Sequence, residues 1–214
     1  MSRLMRGERL SLTRRGESAE FLVVGLGNPG SKYAGTRHNI GREVIDELVK
    51  RNHASLKAGK EQSLVAEIRE NDKLIVLAIP MNFMNESGIA VAKLTRRYRL
   101  SEVKKLVIVH DELDLEVGAV RLKEGGGLAG HNGLRSVKQH LKNQDFCRIR
   151  IGIGKPFPNQ KGAQYVLSKP GKKESQELSL SVLNAADAIE SVIETGFDNA
   201  MQIFNKKNLE PYEQ

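Results

Sequence analysis

The stretch FLVVGLGNPGSKYAGTRHNIG, residues 21–41, limits what this chain can fold into more than any other part of it. Its apolar start, Phe21 to Val24, reads as a buried strand. Gly25, Gly27, Pro29, Gly30 and Gly35 then break the ladder and make the next residues loop backbone. From Ile40 the apolar positions Val44, Ile45, Leu48 and Val49 recur at helical spacing. A strand, a glycine-rich loop and a helix start therefore bring Asn28, Tyr33, Thr36, His38 and Asn39 to one strand end. In open α/β sheets that crevice is where ligands bind.

Gly25-x-Gly27-x-x-Gly30 matches a dinucleotide fingerprint only in its glycines. That fingerprint needs a helix opening at the glycines and an acid on the following strand. Here the helix is delayed to about residue 38, and the acids near position 46 fall inside it. A nicotinamide or flavin site is set aside for that reason.

The rest of the chain alternates strand and helix patterns. Residues 63–69 and 73–79 read as a hairpin turned at Asn71-Asp72, and Pro80 ends its second strand. Helices are predicted over 39–52, 86–99, 134–141 and 173–195, with a short one after them. Further strands are predicted over 106–109, 117–123 and 146–153. The last helical stripe, Leu178, Val182, Ala185, Ile189 and Val192, must pack on a sheet or cover a cleft. At 214 residues, with no internal repeat, this describes a single globular α/β domain with a twisted mixed β-sheet flanked by helices. Residues 21–206 make that domain, residues 1–20 a flexible N-terminal extension and residues 207–214 a C-terminal tail.

Net charge +8 suggests a polyanionic partner. A single cysteine excludes an internal disulfide framework and suits a reducing compartment. No run reaches membrane-span length, and the leader has neither the apolar core of a secretory signal nor the acid-poor character of a transit peptide, so a cytoplasmic protein is expected.

Chemistry is sought at strand ends. Asp111 closes the apolar run Leu106-Val-Ile-Val-His, where an unpaired acid is costly unless it faces a cleft, so it is preferred over Asp114, a turn or cap residue. The glycine run before His131 and Asn132 can bring backbone close to a substrate. Met81, Phe83 and Met84, beside Asn82 and Asn85, mix apolar walls with oriented amides. The histidines show no metal-ligand spacing, Cys147 lies on an apolar strand face, and neither a Gly-x-Ser-x-Gly elbow nor a Gly-Lys-Ser/Thr loop occurs. No metal or other cofactor is expected. Histidine with a carboxylate can activate water, and asparagine amides can hold a carbonyl or its oxyanion. His38, at a helix N-terminus, is the preferred base, and His131 is its competitor. His53, His110 and His140 default to surface or packing roles.

Gly25-Leu-Gly-Asn-Pro-Gly with Tyr33 and Thr36-Arg-His-Asn resembles the opening signature of the bacterial peptidyl-tRNA hydrolases. Phe83-Met-Asn-Glu-Ser-Gly, His110-Asp-Glu-Leu-Asp, Gly130-His-Asn-Gly-Leu and Arg148-Ile-Arg-Ile-Gly-Ile-Gly are similar to the later ones, in order. The resemblance implies hydrolysis of the ester between a peptide and the tRNA 3′ end, by a protein that is usually monomeric. It implies His38 as base, Asp111 as its carboxylate, and Asn28 as the residue that distinguishes N-blocked substrates. Tyr33, Phe83, Asn85 and Asn132 fall on substrate-binding positions, and Lys123 and Arg150 on a basic pair that meets the tRNA 5′ phosphate. Arg148 and Arg150 share the strand face opposite Cys147, with Lys169, Lys172 and Lys173 as further cations for the acceptor stem. The leader lies outside the usual pattern. The alternative is a non-catalytic relative of the same fold that binds RNA in intron splicing, disfavoured because every catalytic position is filled.

Overall fold

The structure, a computed structural model, describes residues 17–156 and 158–207. A seven-stranded sheet runs in the order β2-β3-β4-β1-β5-β7-β6. The strands are β1 (Phe21–Gly25), β2 (Lys57–Gly59), β3 (Ser63–Glu70), β4 (Lys73–Pro80), β5 (Leu106–Glu112), β6 (Val120–Glu124) and β7 (Cys147–Gly152). The central strands β4, β1, β5 and β7 are parallel; β3, β2 and β6 run antiparallel to their neighbours. β1 and β5 are buried along their whole length, as parallel strands covered on both faces must be.

The helices are α1 (Ile40–Arg51), α2 (Ser87–Arg97), α3 (Asn132–Leu141), α4 (Gly162–Val166), α5 (Lys172–Thr195) and α6 (Phe197–Lys207). Strand alternation splits the core between two faces. Val23, Ile75, Val109 and Ile149 pack with Ile45 of α1, Ile189 of α5 and Ala200 of α6. Leu22, Val76 and Ile108 pack with Val91 of α2 and Val137 of α3. The α5 stripe read from the sequence is buried along its whole length. Edge strand β6 is capped by α6, where the Asn205 carboxamide accepts from Leu122 N and donates to Leu122 O, both at 2.9 Å.

Asn71 and Asp72 turn the β3–β4 hairpin with φ of 49° and 63°, the left-handed pair that a two-residue hairpin favours. The boundaries differ from expectation in a few places. β6 begins at Val120 and not at Val117, because Gly118 (φ 83°) first makes a turn there. β2 and α4 fall in stretches read as connectors, since elements of three and five residues are too short to show periodicity. α3 starts two residues early and so takes in Asn132.

The expected flexible leader lies largely outside the described residues, as does the tail over 208–214. Residues 17–20 are tied to the fold. Ala19 N donates to Tyr98 O at 2.9 Å, Glu20 N donates to Leu74 O at 2.8 Å, and Glu17 pairs with Arg69. No helix among the described residues is long and apolar enough to cross a membrane.

Candidate active site

β1 ends opposite Val109, whereas β5 runs on to Glu112, so His110 and Asp111 overhang the carboxyl end of β1. The pleat that sends Val107 and Val109 toward α1 sends Asp111 the same way. Two glycines let α1 come down on this end. A Cβ on Gly41 would lie 2.3 Å from Val109 O, and one on Gly25 would lie 2.2 Å from Gly41 O. The turn Arg37–Asn39, directly before α1, thereby places His38 against Asp111.

His38 Nδ1 is 2.8 Å from Asp111 Oδ1, and His131 Nε2 reaches the same oxygen at 3.0 Å from the other side. Asp111 is 3 % exposed. Burial pushes its carboxyl up, but the His131 and His38 imidazoles outweigh that and hold it well below the usual carboxylate range. An ionised carboxylate only accepts, so both rings donate to it. The two histidines then part company. His131 precedes α3, and its Nδ1 accepts from Gly133 N at 3.1 Å and Leu134 N at 3.3 Å. Both its nitrogens are committed. His38, donating through Nδ1, keeps the Nε2 lone pair uncommitted among the described residues. Of the two candidates, only His38 keeps a ring nitrogen without a hydrogen-bond partner among the described residues.

His110, given a packing or surface default, is 1 % exposed and belongs to this cluster. Its Nδ1 donates to Asp111 O at 2.7 Å, its ring stands edge-on to His131 at 5.0 Å, and its Nε2 is buried without a partner among the described residues. Burial, and then His131, push its pKa well below the ordinary histidine value, so it stays neutral.

Sequence spacing showed no metal-ligand pair, yet folding brings ligating atoms of His38, Asp111 and His131 within 4.8 Å of one another. The hydrogen bonds argue against a metal role for them. An ion on His131 Nε2 would need that nitrogen's lone pair and would move the proton to Nδ1, against two helix N–H donors.

The remaining candidates ring this centre. Asn28 is 6 % exposed, and its Oδ1 accepts from Met84 N at 2.8 Å. That bond fixes the orientation of the carboxamide. Half-buried Tyr33 and exposed Phe83 meet edge to face at 6.3 Å, an apolar wall beside the loop. Asn85, in the turn after Met84, and Asn132, the first residue of α3, are both exposed. Gly133 joins these segments, since a Cβ there would lie 2.5 Å from Met84 Sδ and 2.9 Å from Leu26 Cδ1.

Lys123 pairs in register with Arg148, and Arg121 with Arg150, so these cations share one face of the β6–β7 ladder. The two strand arginines share that face, as alternation predicts, but Arg148 is the buried one. It is 1 % exposed and donates to the carbonyls of Gly125 and Gly127, so it holds the glycine loop in place. Arg150 keeps a 21 % exposed side chain, 3.8 Å from Glu112. Cys147 is buried as expected, and burial pushes its thiol up to about 12.

Two tethers on the His38 turn had no sequence signal. Arg37 forks onto Glu174 at 2.5 and 2.6 Å, lies 4.2 Å from the Tyr165 ring and bonds Ser168, anchoring the segment between β7 and α5. Asn39 bonds the backbone of Asn28. Their partners are too distant in sequence for any local pattern to reveal them. A cavity of about 410 Å³ lies elsewhere, between the end of α1, β2, β3 and the end of α2. Two of its lining arginines are held by ion pairs, Arg97 with Glu61 and Glu67, and Arg69 with Glu17.

Fold and centre together define an α/β protein with a histidine–aspartate–histidine site at the carboxyl ends of its parallel strands. Residues 22–212 match the peptidyl-tRNA hydrolase family. The chain is 44 % identical over 195 residues to the peptidyl-tRNA hydrolase of Kineococcus radiotolerans, covering 88 % of this chain and 98 % of the relative. It is 47 % identical over 180 residues to that of Mycolicibacterium gilvum, covering 84 % and 93 %. The crystal structure of peptidyl-tRNA hydrolase from Acinetobacter baumannii superposes with a TM-score of 0.82 at 34 % identity, covering 89 % of this chain and 97 % of that one. The chain belongs to the peptidyl-tRNA hydrolase family. The non-catalytic alternative gains no support from these relatives.

Proposed function

We propose that this protein hydrolyses the ester joining a peptide, or an N-blocked amino acid, to the 3′ end of tRNA, and that His38 is the general base. One observation carries the assignment: of the two imidazoles on Asp111, only that of His38 retains a ring nitrogen uncommitted among the described residues. In this reading His38 Nε2 takes a proton from water as the water oxygen attacks the ester carbonyl. Asp111 stabilises the resulting imidazolium. When the tetrahedral intermediate collapses, the C–O bond to the ribose breaks and the proton passes to the leaving 3′ hydroxyl.

Asn28, oriented by Met84 N, donates from Nδ2 to a carbonyl oxygen of the substrate. Tyr33 and Phe83 supply an apolar wall for the peptide, flanked by Asn85 and Asn132. A free aminoacyl ester would bring an ammonium group, costly to desolvate, into the same place. Lys123 and Arg150 hold the 5′ phosphate, a contact that positions any tRNA without reading its sequence. The protein works as a monomer in the cytoplasm, with tRNA as its polyanionic partner. The test is turnover of N-acetyl-aminoacyl-tRNA beside unblocked aminoacyl-tRNA. Rapid release of free tRNA from the blocked substrate alone is expected, and no release from either refutes the reading.

A further inference from the structure

Asn39 stands directly before α1, where an asparagine ordinarily caps the helix with its side-chain oxygen. It makes no such bond. Its carboxamide, on a residue 3 % exposed, is spent on the backbone of Asn28 instead. Oδ1 accepts from Asn28 N at 2.8 Å, and Nδ2 donates to Asn28 O at 3.0 Å. This is the two-bond pairing that a neighbouring strand would provide. Gly27 leaves room for it, since a Cβ there would already be 3.3 Å from Asn39 Cγ and Oδ1. The carboxamide of Asn28 is fixed separately by Met84 N.

We infer that Asn39 is a positioning residue that locks the substrate-binding amide of Asn28 to the turn carrying the base, so that the two act as one rigid unit. The inference rests on the roles proposed above for Asn28 and His38. A helix cap was forgone for this contact, and both Asn28 backbone groups would be buried without a partner if the contact were lost. Because Asn39 follows His38 directly, any shift of α1 moves the base and the amide together.

The test compares Asn39→Ala, Asn39→Asp, Asn28→Ala and the Asn28→Ala/Asn39→Ala double variant, each on N-acetyl-aminoacyl-tRNA and on unblocked aminoacyl-tRNA. Asn39→Ala should lower kcat/KM for the blocked substrate by about tenfold or more, on the scale of one or two buried hydrogen bonds. It should also shrink the blocked-to-unblocked ratio in the direction that Asn28→Ala does. Asn39→Asp keeps size and acceptor but sets an oxygen against Asn28 O, so it should lose the ratio even if the alanine variant folds poorly. The double variant should match Asn28→Ala within about twofold, because the two side chains act through one amide. Losses that multiply in the double variant, or equal slowing of both substrates, overturn the inference. Hydrogen exchange at Asn28 N–H in the substrate-free protein decides the clamp independently of activity. Exchange faster by about tenfold in Asn39→Ala supports it, and unchanged protection overturns it. A wild-type protein that cleaves neither substrate refutes the proposed function, while the exchange result still decides the clamp.

Discussion

Gly41→Ala isolates the feature that sets the spacing of base and carboxylate. Alanine should help α1 locally, by about 1 kcal/mol of helix propensity. Tertiary contact opposes this. The new methyl would stand 2.3 Å from Val109 O and 2.9 Å from Leu26 N and O, all of them backbone atoms that cannot rotate away. Ordinary carbon–oxygen contact requires α1 to retreat by about 1 Å. His38, three residues upstream, retreats with it, and its 2.8 Å bond to Asp111 opens beyond hydrogen-bonding range. A displacement of that size costs about 10²-fold in rate, and the overpacking costs about 1–3 kcal/mol in stability. The assay is kcat at saturating N-acetyl-aminoacyl-tRNA, normalised to the folded fraction, beside a denaturant titration. Gly162→Ala is the control, because a Cβ there meets nothing within 4 Å and the site is helical, so neither number should worsen. If Gly41→Ala keeps wild-type stability and kcat within about threefold, α1 has slack and close packing does not set the geometry.

His38→Ala should lower kcat by about 10²–10⁴ with the fold retained. His131→Ala should lower it less, since it removes a support of Asp111 and a helix cap but not the base; the reverse order of kcat values refutes the assignment. Arg150→Ala should raise KM, leave kcat nearly intact and reduce the salt slope of binding by about 0.9, one phosphate contact. Loss of kcat on a short substrate lacking the 5′ phosphate would move Arg150 into the catalytic centre. His110 is held neutral in the fold but takes a proton when unfolded below about pH 6.5, so stability should fall as pH drops below that value. The loss is at most about 1.4 kcal/mol per pH unit, and denaturant titrations of His110→Gln between pH 7.5 and 5.5 should show that much less decline.

Much of the fold was legible because its signals are local. Continuous apolar runs marked β1, β4 and β5, the α5 stripe showed its buried face, and Asn71-Asp72 marked a hairpin turn. His38 and Asp111 stood out as polar residues beside apolar runs, and the fold brings them to 2.8 Å from each other. The short elements β2 and α4 were not legible, since they form only against neighbours already in place.

What the sequence alone determined, then, is the longer elements and the chemical types gathered at strand ends. Only the tertiary structure decided which nitrogen of which histidine is free. His38 and His131 look alike locally, each at a helix start, and only Asp111 meeting Nδ1 of one ring and Nε2 of the other separates them. It also decided that Arg148 serves the glycine loop while Arg150 keeps some exposure, although strand alternation puts both on one face. The physical reason is the same in both cases. A hydrogen bond depends on angles and distances of a few ångströms between segments far apart in the chain. Periodicity reports which face a side chain leaves from, but not what it meets there.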